Sequence, residues 1–295
     1  MAEKANIGFV GLGLMGQGFT KRLTSRGYSV TGYDIVREKV EAARAWGVRP
    51  AANPAEVARE SDVVLVCVTT TEAVREVAFG AGGIVEAGAP GKVLVDHSTT
   101  EVAATREMAA RLKDETGIGW VDAPVSGGPP AAEAGTLAIM AGGDSDDIAL
   151  VEPVMAELAS AFTHMGPTGA GQVTKMVNQI LVLTNYCVLA EALTLAEAGG
   201  VDAEKIPTAL GSGYAGSNLL QKMYPRMVER DFAPAGYARQ VLKDLDMVQS
   251  LAKELKVPVP MSAQAGSLMR ILNAKGHGEL DGIAVLKLYD PEDHV

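Results

Sequence analysis

Cysteine is scarce in this chain: Cys67 and Cys187 are the two thiols among 295 residues, beside four histidines. No spacing among these six residues matches a zinc-ligand pattern, so no metal centre is expected. Both thiols lie in apolar surroundings, Cys67 inside the run Val63–Val68 and Cys187 inside a longer apolar stretch. Two buried, reduced thiols fit a reducing compartment, and a cytoplasmic location is expected. Positive charge is also in deficit, since 26 Lys and Arg against 36 Asp and Glu give a net charge of −10. That balance disfavours nucleic acid and anionic membrane surfaces as partners. It leaves room for a local site of opposite sign. A strand-like run begins as early as Ile7, so no signal peptide is expected. The apolar stretch Met176–Ala196 contains Asn178, Gln179, Asn185 and Glu191. These groups are costly in lipid, which makes a long helix buried in protein the better reading.

What the chain does have is apolar mass, at 47% of residues. A single core stops growing at roughly 250–300 residues, so two domains are expected. Apolar runs at Ile7–Val10, Val30–Tyr33, Val63–Val68 and Val93–Val95 predict strands buried on both faces. Helical stretches near Gly16–Arg26 and Val36–Trp46 separate the first of them, which implies parallel βαβ units. Further strands are expected at Trp120–Ala123, Leu137–Met140 and Phe162–Met165. A helix at Val102–Lys113 follows Ser98-Thr99-Thr100-Glu101, a capping-box pattern. Strand signals then largely stop. Gly166 to Gly171 reads as a hinge, and a long helix from about Gln172 to Ala198 ends at Gly199-Gly200. The rest reads as helices broken by Gly and Pro. The expected fold class is α/β: a doubly wound parallel sheet over residues 1–166, then a long connecting helix and an all-α domain over residues 167–295.

Gly11-Leu12-Gly13-Leu14-Met15-Gly16 fits G-x-G-x-x-G. The pattern alone is weak among 33 glycines. Here it follows a predicted strand and opens a predicted helix, the arrangement that cradles a dinucleotide pyrophosphate. The bland alternative is a glycine-rich turn. Asp34 ends the second strand about 20 residues on, where a carboxylate accepts both ribose hydroxyls of NAD and repels the extra phosphate of NADP. Arg37 softens that repulsion, so NADP stays open.

Lys175 and Asn178 lie three apart near the start of the long helix and share a face. Burial and the positive helix end both disfavour an ammonium there, which lowers the lysine toward the range of a proton shuttle. The alternative is a snorkelling surface lysine. Asp122-Ala123-Pro124-Val125-Ser126-Gly127-Gly128 follows another strand, and its Ser-Gly-Gly offers backbone N–H groups to a carboxylate, unless it merely turns the chain. Ser98 and Thr99 end a further strand. Ser98 is a candidate cap for the next helix, and either hydroxyl is a candidate ligand contact, because ligands gather at the carboxyl ends of parallel strands.

Four stretches together resemble the β-hydroxyacid dehydrogenase family, which includes 3-hydroxyisobutyrate dehydrogenases and tartronate semialdehyde reductases on a 6-phosphogluconate dehydrogenase-like fold. They are Gly8 to Gly16, Asp122 to Gly128, Gly169-Ala170-Gly171-Gln172-Val173-Thr174-Lys175-Met176-Val177-Asn178, and Lys243-Asp244. The resemblance implies a Rossmann-type domain, an NAD(P)-dependent hydride transfer on a short β-hydroxy acid or its semialdehyde, and homodimers or homotetramers. It implies that Lys175 is catalytic and that Ser126, Gly127, Gly128 and Asn178 bind substrate. It also implies that Val68, Thr69, Thr99 and Lys243 meet the cofactor. The chain departs from the family at Val68-Thr69, where Leu-Pro is frequent, at Pro129-Pro130-Ala131-Ala132, and at Pro234 to Arg239. Two alternatives stay open: an imine reductase-like enzyme, and a nucleotide-binding scaffold without chemistry.

Overall fold

Ile7-Gly8-Phe9-Val10 contains no side chain that must reach water. In the computed structural model, which describes residues 4–289, it forms the buried strand β1 (Ile7–Val10). Five more parallel strands follow: β2 (Val30–Tyr33), β3 (Arg49–Pro50), β4 (Val63–Val66), β5 (Val93–Asp96) and β6 (Gly119–Asp122). Their spatial order is β3-β2-β1-β4-β5-β6. The chain order reverses on either side of β1, which pairs with both β2 and β4. In doubly wound sheets ligands bind at such a reversal. The sheet continues through β7 (Val125–Ser126), β8 (Leu137–Gly142) and β9 (Ala159–Gly166). Strand β8 runs antiparallel to β6 and β7 and parallel to β9.

Successive residues of these strands serve opposite faces. Ile7, Phe9, Val63, Leu65, Val93 and Val95 pack in one cluster, and Val10, Val64, Val66 and Leu94 in another. The period of two puts hydrophobic side chains on both faces, so helices must cover both. They are α1 (Leu14–Ser25), α2 (Arg37–Ala43), α3 (Pro54–Arg59), α4 (Thr71–Phe79), α5 (Val102–Thr116), α6 (Gly128–Ala134) and α7 (Ser145–Leu158).

Helices α8 (Ala170–Ala198), α9 (Ile206–Leu210), α10 (Asn218–Val228), α11 (Ala238–Leu255) and α12 (Pro260–Leu272) follow. Contacts divide the chain into two compact units, Met1–Lys175 and Met176–Val295, so the division falls within α8. Leu183, Leu193, Tyr224, Leu245, Met269 and Ile283 share the core of the second unit. Helix α8 ends as expected: Gly200 takes a left-handed φ of 71°, and Val201 N–H reaches back to Ala196 O at 2.9 Å.

Three expectations are corrected. Helix α8 is buried along one face, through Leu183, Cys187, Ala190 and Leu193, while Val177, Leu181, Val188 and Leu195 are exposed. By length and composition alone it is long and apolar enough to cross a membrane. Proline does not break every helix after α8, since Pro225 lies inside α10. The capping box before α5 does not form. Glu101 is the N-cap residue and makes no side-chain cap bond, while the Ser98 hydroxyl accepts from Val68 N–H at 3.0 Å.

Candidate active site

The turn between β1 and α1 is shaped by its glycines. Gly11 has φ +99°, and a Cβ there would stand 2.2 Å from Cys67 O. A Cβ on Gly16 would stand 2.0 Å from Gly11 O. Both glycines are therefore needed for the turn to close. Gly13 is different, because a Cβ on it would meet nothing within 4 Å. It is the N-cap residue of α1 and offers no side-chain acceptor to the first-turn N–H groups, and no acidic side chain stands in that turn. Donors with open space in front of them fit a pyrophosphate. Asp34 Oδ2 accepts from Leu12 N–H at 2.7 Å, and Oδ1 accepts from Val36 N–H at 2.8 Å, with Lys39 Nζ 3.7 Å away. The carboxylate thus ties the strand end to the glycine turn. Each oxygen keeps a further lone pair for ribose hydroxyls.

The ends of β4 and β5 lie alongside. Val68 and Thr99 are half-buried and Thr69 is exposed. Asp96 and His97 are buried here, and the sequence signals did not single them out. The Asp96 carboxyl is pushed up to about 7 by burial, against the pull of its bonds from Ser98 and Thr100. His97 Nδ1 lies 2.7 Å from Ala123 O, its ring stacks on Phe19 at 4.7 Å, and burial pushes it down to about 4, leaving a neutral imidazole. Burial pushes the Cys67 and Cys187 thiols up to about 12 and about 11, which removes them as nucleophiles.

Asp96 gives a stability prediction. Its folded-state value lies above that of the unfolded chain, so the folded state holds a proton that the unfolded chain releases near pH 4. That contribution is present at low pH and is lost as pH rises through about 7. Asp96→Asn removes the ionisation and keeps an acceptor for Ser98 N–H. Its melting temperature should gain on the wild type between pH 5 and pH 8, by roughly 2–4 °C for each kcal/mol recovered. Thermal unfolding at the two pH values decides this, and a difference that does not grow with pH counts against a buried, proton-holding Asp96.

After β6 the chain turns through Ser126, Gly127 and Gly128. Gly127 and Gly128 take φ of +134° and +73°. Pro129 and Pro130 then open α6, a placement proline tolerates because first-turn N–H groups lack helical partners. Prolines carry no N–H, so between Ser126 and Ala131 the backbone donors are those of Gly127 and Gly128. Ala132 is fully buried, and its Cβ lies 2.9 Å from where a Cβ on Gly18 of α1 would stand. This part of the departure from the family pattern is thus spent on packing α6 against α1. Asp122 and the first turn of α8 meet next to this turn: Asp122 Oδ1 accepts from Gly169 N–H at 2.7 Å and Oδ2 from Gln172 N–H at 2.9 Å. Burial pushes the Asp122 carboxyl up to about 6, and these N–H bonds pull against it. One turn into the helix, Lys175 is 8% exposed and its Nζ donates to Val125 O at 2.7 Å, beside Ser126.

In the second unit, Asn178 Nδ2 donates to Gln179 Oε1 at 2.9 Å. Gln179 Nε2 donates to Asp244 Oδ2, and Asp244 Oδ1 pairs with Lys243 Nζ at 3.1 Å. Asn178 and Lys243 therefore belong to one polar chain running from α8 to α11. Gln179 and Asp244 link them, and the sequence marked Gln179 only as a polar residue in an apolar stretch, because its partner lies 65 residues away. Among the described residues no cluster of His, Cys, Asp and Glu has the makings of a metal site.

Comparison with known proteins agrees with this architecture. The NAD-binding domain model of 6-phosphogluconate dehydrogenase matches residues 6–166. The model described as the NAD-binding domain of NADP-dependent 3-hydroxyisobutyrate dehydrogenase matches residues 169–289. The chain is 36% identical to 2-(hydroxymethyl)glutarate dehydrogenase of Eubacterium barkeri, over 98% of this chain and 96% of that one. It is 34% identical to 2-hydroxy-3-oxopropionate reductase of Escherichia coli, over 95% and 96%. The crystal structure of a 3-hydroxyisobutyrate dehydrogenase from Salmonella typhimurium superposes with a TM-score of 0.88 at 29% identity, covering 97% of this chain and all of that one. With its glycine turn, its strand reversal and these relatives across nearly its whole length, the chain belongs to the β-hydroxyacid dehydrogenase family of NAD(P)-dependent oxidoreductases.

Proposed function

We propose that this enzyme oxidises a short β-hydroxy acid, or reduces the matching semialdehyde, with Lys175 as the acid/base. The observation that carries the reading is the buried Lys175 amine, held 2.7 Å from Val125 O at the edge of the Ser126–Gly128 turn. A carboxylate seated on Ser126 Oγ and the N–H groups of Gly127 and Gly128 would lie next to that amine. In oxidation, neutral Lys175 takes the hydroxyl proton; in reduction, its ammonium returns one to the forming alkoxide. Asn178, one turn further along α8, offers an amide to the hydroxyl or the carboxylate. Bound nicotinamide would supply the hydride chemistry. Gly11 to Gly16 would hold its pyrophosphate and Asp34 its ribose, with Val68, Thr69, Thr99 and Lys243 as further contacts. Asp34 favours NAD over NADP by charge, with Lys39 and Arg37 tempering the preference.

The test is initial rate with NAD and with NADP at alkaline pH, over 3-hydroxyisobutyrate, glycerate, threonate and 2-(hydroxymethyl)glutarate, and with NADH over tartronate semialdehyde. Faster turnover with NAD for one of these acids is expected. Equal rates with NADP would remove the role given to Asp34. No turnover of any compound in the panel would sink the substrate class.

A further inference from the structure

The carboxamide of Gln172 spans Thr99. Its Nε2 donates to Ser98 O at 2.8 Å, and its Oε1 accepts from Thr100 N–H at 3.2 Å. The residue before Thr99 and the residue after it are thus gripped by one side chain, which is fully buried. The amide has a single sensible orientation here, with NH2 facing a carbonyl and oxygen facing an N–H. Gln172 is itself held by its backbone, because its N–H donates to Asp122 Oδ2. Asp122 also takes Gly169 N–H on its other oxygen. Steric fit closes the assembly. A Cβ on Gly171 would stand 2.4 Å from Asp122 O and 2.5 Å from Met140 O, and one on Gly142 would stand 2.8 Å from the backbone nitrogens of Ala170 and Gly171. The first turn of α8 therefore rests directly on the backbones of β6 and β8.

Lys175 is three residues after Gln172, one turn up the same helix. We infer that Gln172 and Asp122 are positioning residues that fix the Lys175 amine relative to the Thr99 loop, and so set the distance between the proton shuttle and the carbon that exchanges hydride. Asp122 sets the depth and direction of the helix end, and Gln172 locks that end onto the loop. Hydride and proton leave adjacent atoms of one substrate, so an error of about 1 Å between the groups that receive them costs on the order of a hundredfold in rate. A hydrogen-bonded clamp holds such a distance better than apolar packing, because its donors and acceptors accept few alternative arrangements.

The inference rests on the proposed role of Lys175, so the experiment runs Lys175→Ala beside Gln172→Met, which removes both clamp bonds at nearly constant volume. The substrate is the hydroxy acid of the panel that the wild type turns over fastest, and NADH affinity is read from its fluorescence. Gln172→Met should lower kcat by roughly 10- to 100-fold while KM and the NADH Kd stay within about threefold. Without cofactor, amide exchange should accelerate in residues 98–100 and 169–176. A folded Gln172→Met with wild-type kcat, or with raised KM and unchanged kcat, overturns the inference. If Gln172→Met loses its cooperative melt, Asp122→Asn decides by the same split. It keeps an acceptor for Gly169 or Gln172 N–H but not both, and a wild-type kcat for it is equally fatal. An active Lys175→Ala would overturn the lysine reading and the clamp together. An inactive Lys175→Ala with a wild-type Gln172→Met overturns the clamp alone.

Discussion

Lys175→Ala is expected to lower kcat by about 10²–10⁴-fold, the usual worth of a positioned acid or base, while NADH binds as before. The large effect follows because none of Asp122, Asp96, His97 and Cys67 is placed to take over its role. Asp122 has both oxygens engaged, by the N–H groups of Gly169 and Gln172 at the start of α8. Asp96 is buried beneath Ser98 and Thr100 and bonded to both. His97 is an imidazole stacked on Phe19 and held near 4, so it binds a proton too weakly to hand one on at neutral pH. Cys67 stays a thiol to about 12. A second substitution separates proton transfer from simple charge. Lys175→Arg keeps a cation but not a group that gives up its proton, since a guanidinium stays protonated in proteins. It should be nearly as slow as the alanine variant in oxidation. Near-normal kcat in Lys175→Ala would remove the acid/base role; a fast Lys175→Arg would make the residue an electrostatic contact instead. Stopped-flow single turnovers resolve the chemical step from product release, and so show which step has slowed.

Local structure was legible in the sequence, and partnership across the fold was not. The strands Ile7–Val10 and Val30–Tyr33 could be bounded to the residue, because polar or turn-forming residues stand at both ends, Asn6 and Gly11 for the first, Ser29 and Asp34 for the second. The glycine turn, Asp34 and the helix of Lys175 were read from fixed offsets within one or two elements. Ser98 shows where such reading fails. Its hydroxyl has a helix start three residues away and Val68 N–H thirty residues away, and the sequence displays only the nearer partner. Asp122 and Gln172 are the same case with larger consequences. Each stood inside a quoted motif, yet their pairing across 50 residues of chain emerges only when β6 and α8 are brought together. Strand β7 and the short helix α6 were missed because two residues and seven residues are too few to display a period. Pro129-Pro130 entered only as a departure from the family pattern, although proline is compatible with the first turn of a helix.

The glycine turn yields the second large effect, and it comes as a contrast. Gly11→Ala should damage the turn itself. Its φ of +99° is strained for any side chain, and the new Cβ would lie 2.2 Å from Cys67 O. That carbonyl cannot easily retreat, because Cys67 N–H is bonded to Val10 O at 2.9 Å at the end of a paired strand. Lower thermal stability and NADH affinity weakened by about 100-fold, equivalent to roughly 2.7 kcal/mol, are expected together. Gly13→Val should behave otherwise. Gly13 has φ −70° and ψ −163°, a backbone open to any residue, and a Cβ there meets no protein atom within 4 Å. Nothing inside the chain requires glycine at this position, so the cofactor-free melting temperature should stay close to the wild type. A pyrophosphate approaching the N-terminus of α1 would require it, because a branched side chain would fill the space in front of the first-turn N–H groups. NADH affinity should then fall by at least about tenfold with no loss of stability. Calorimetry of the cofactor-free proteins and fluorescence titration with NADH measure the two halves. A Gly13→Val protein that binds NADH like the wild type would move the pyrophosphate away from this turn, and a Gly13→Val protein that melts early would mean that the glycine serves the fold after all.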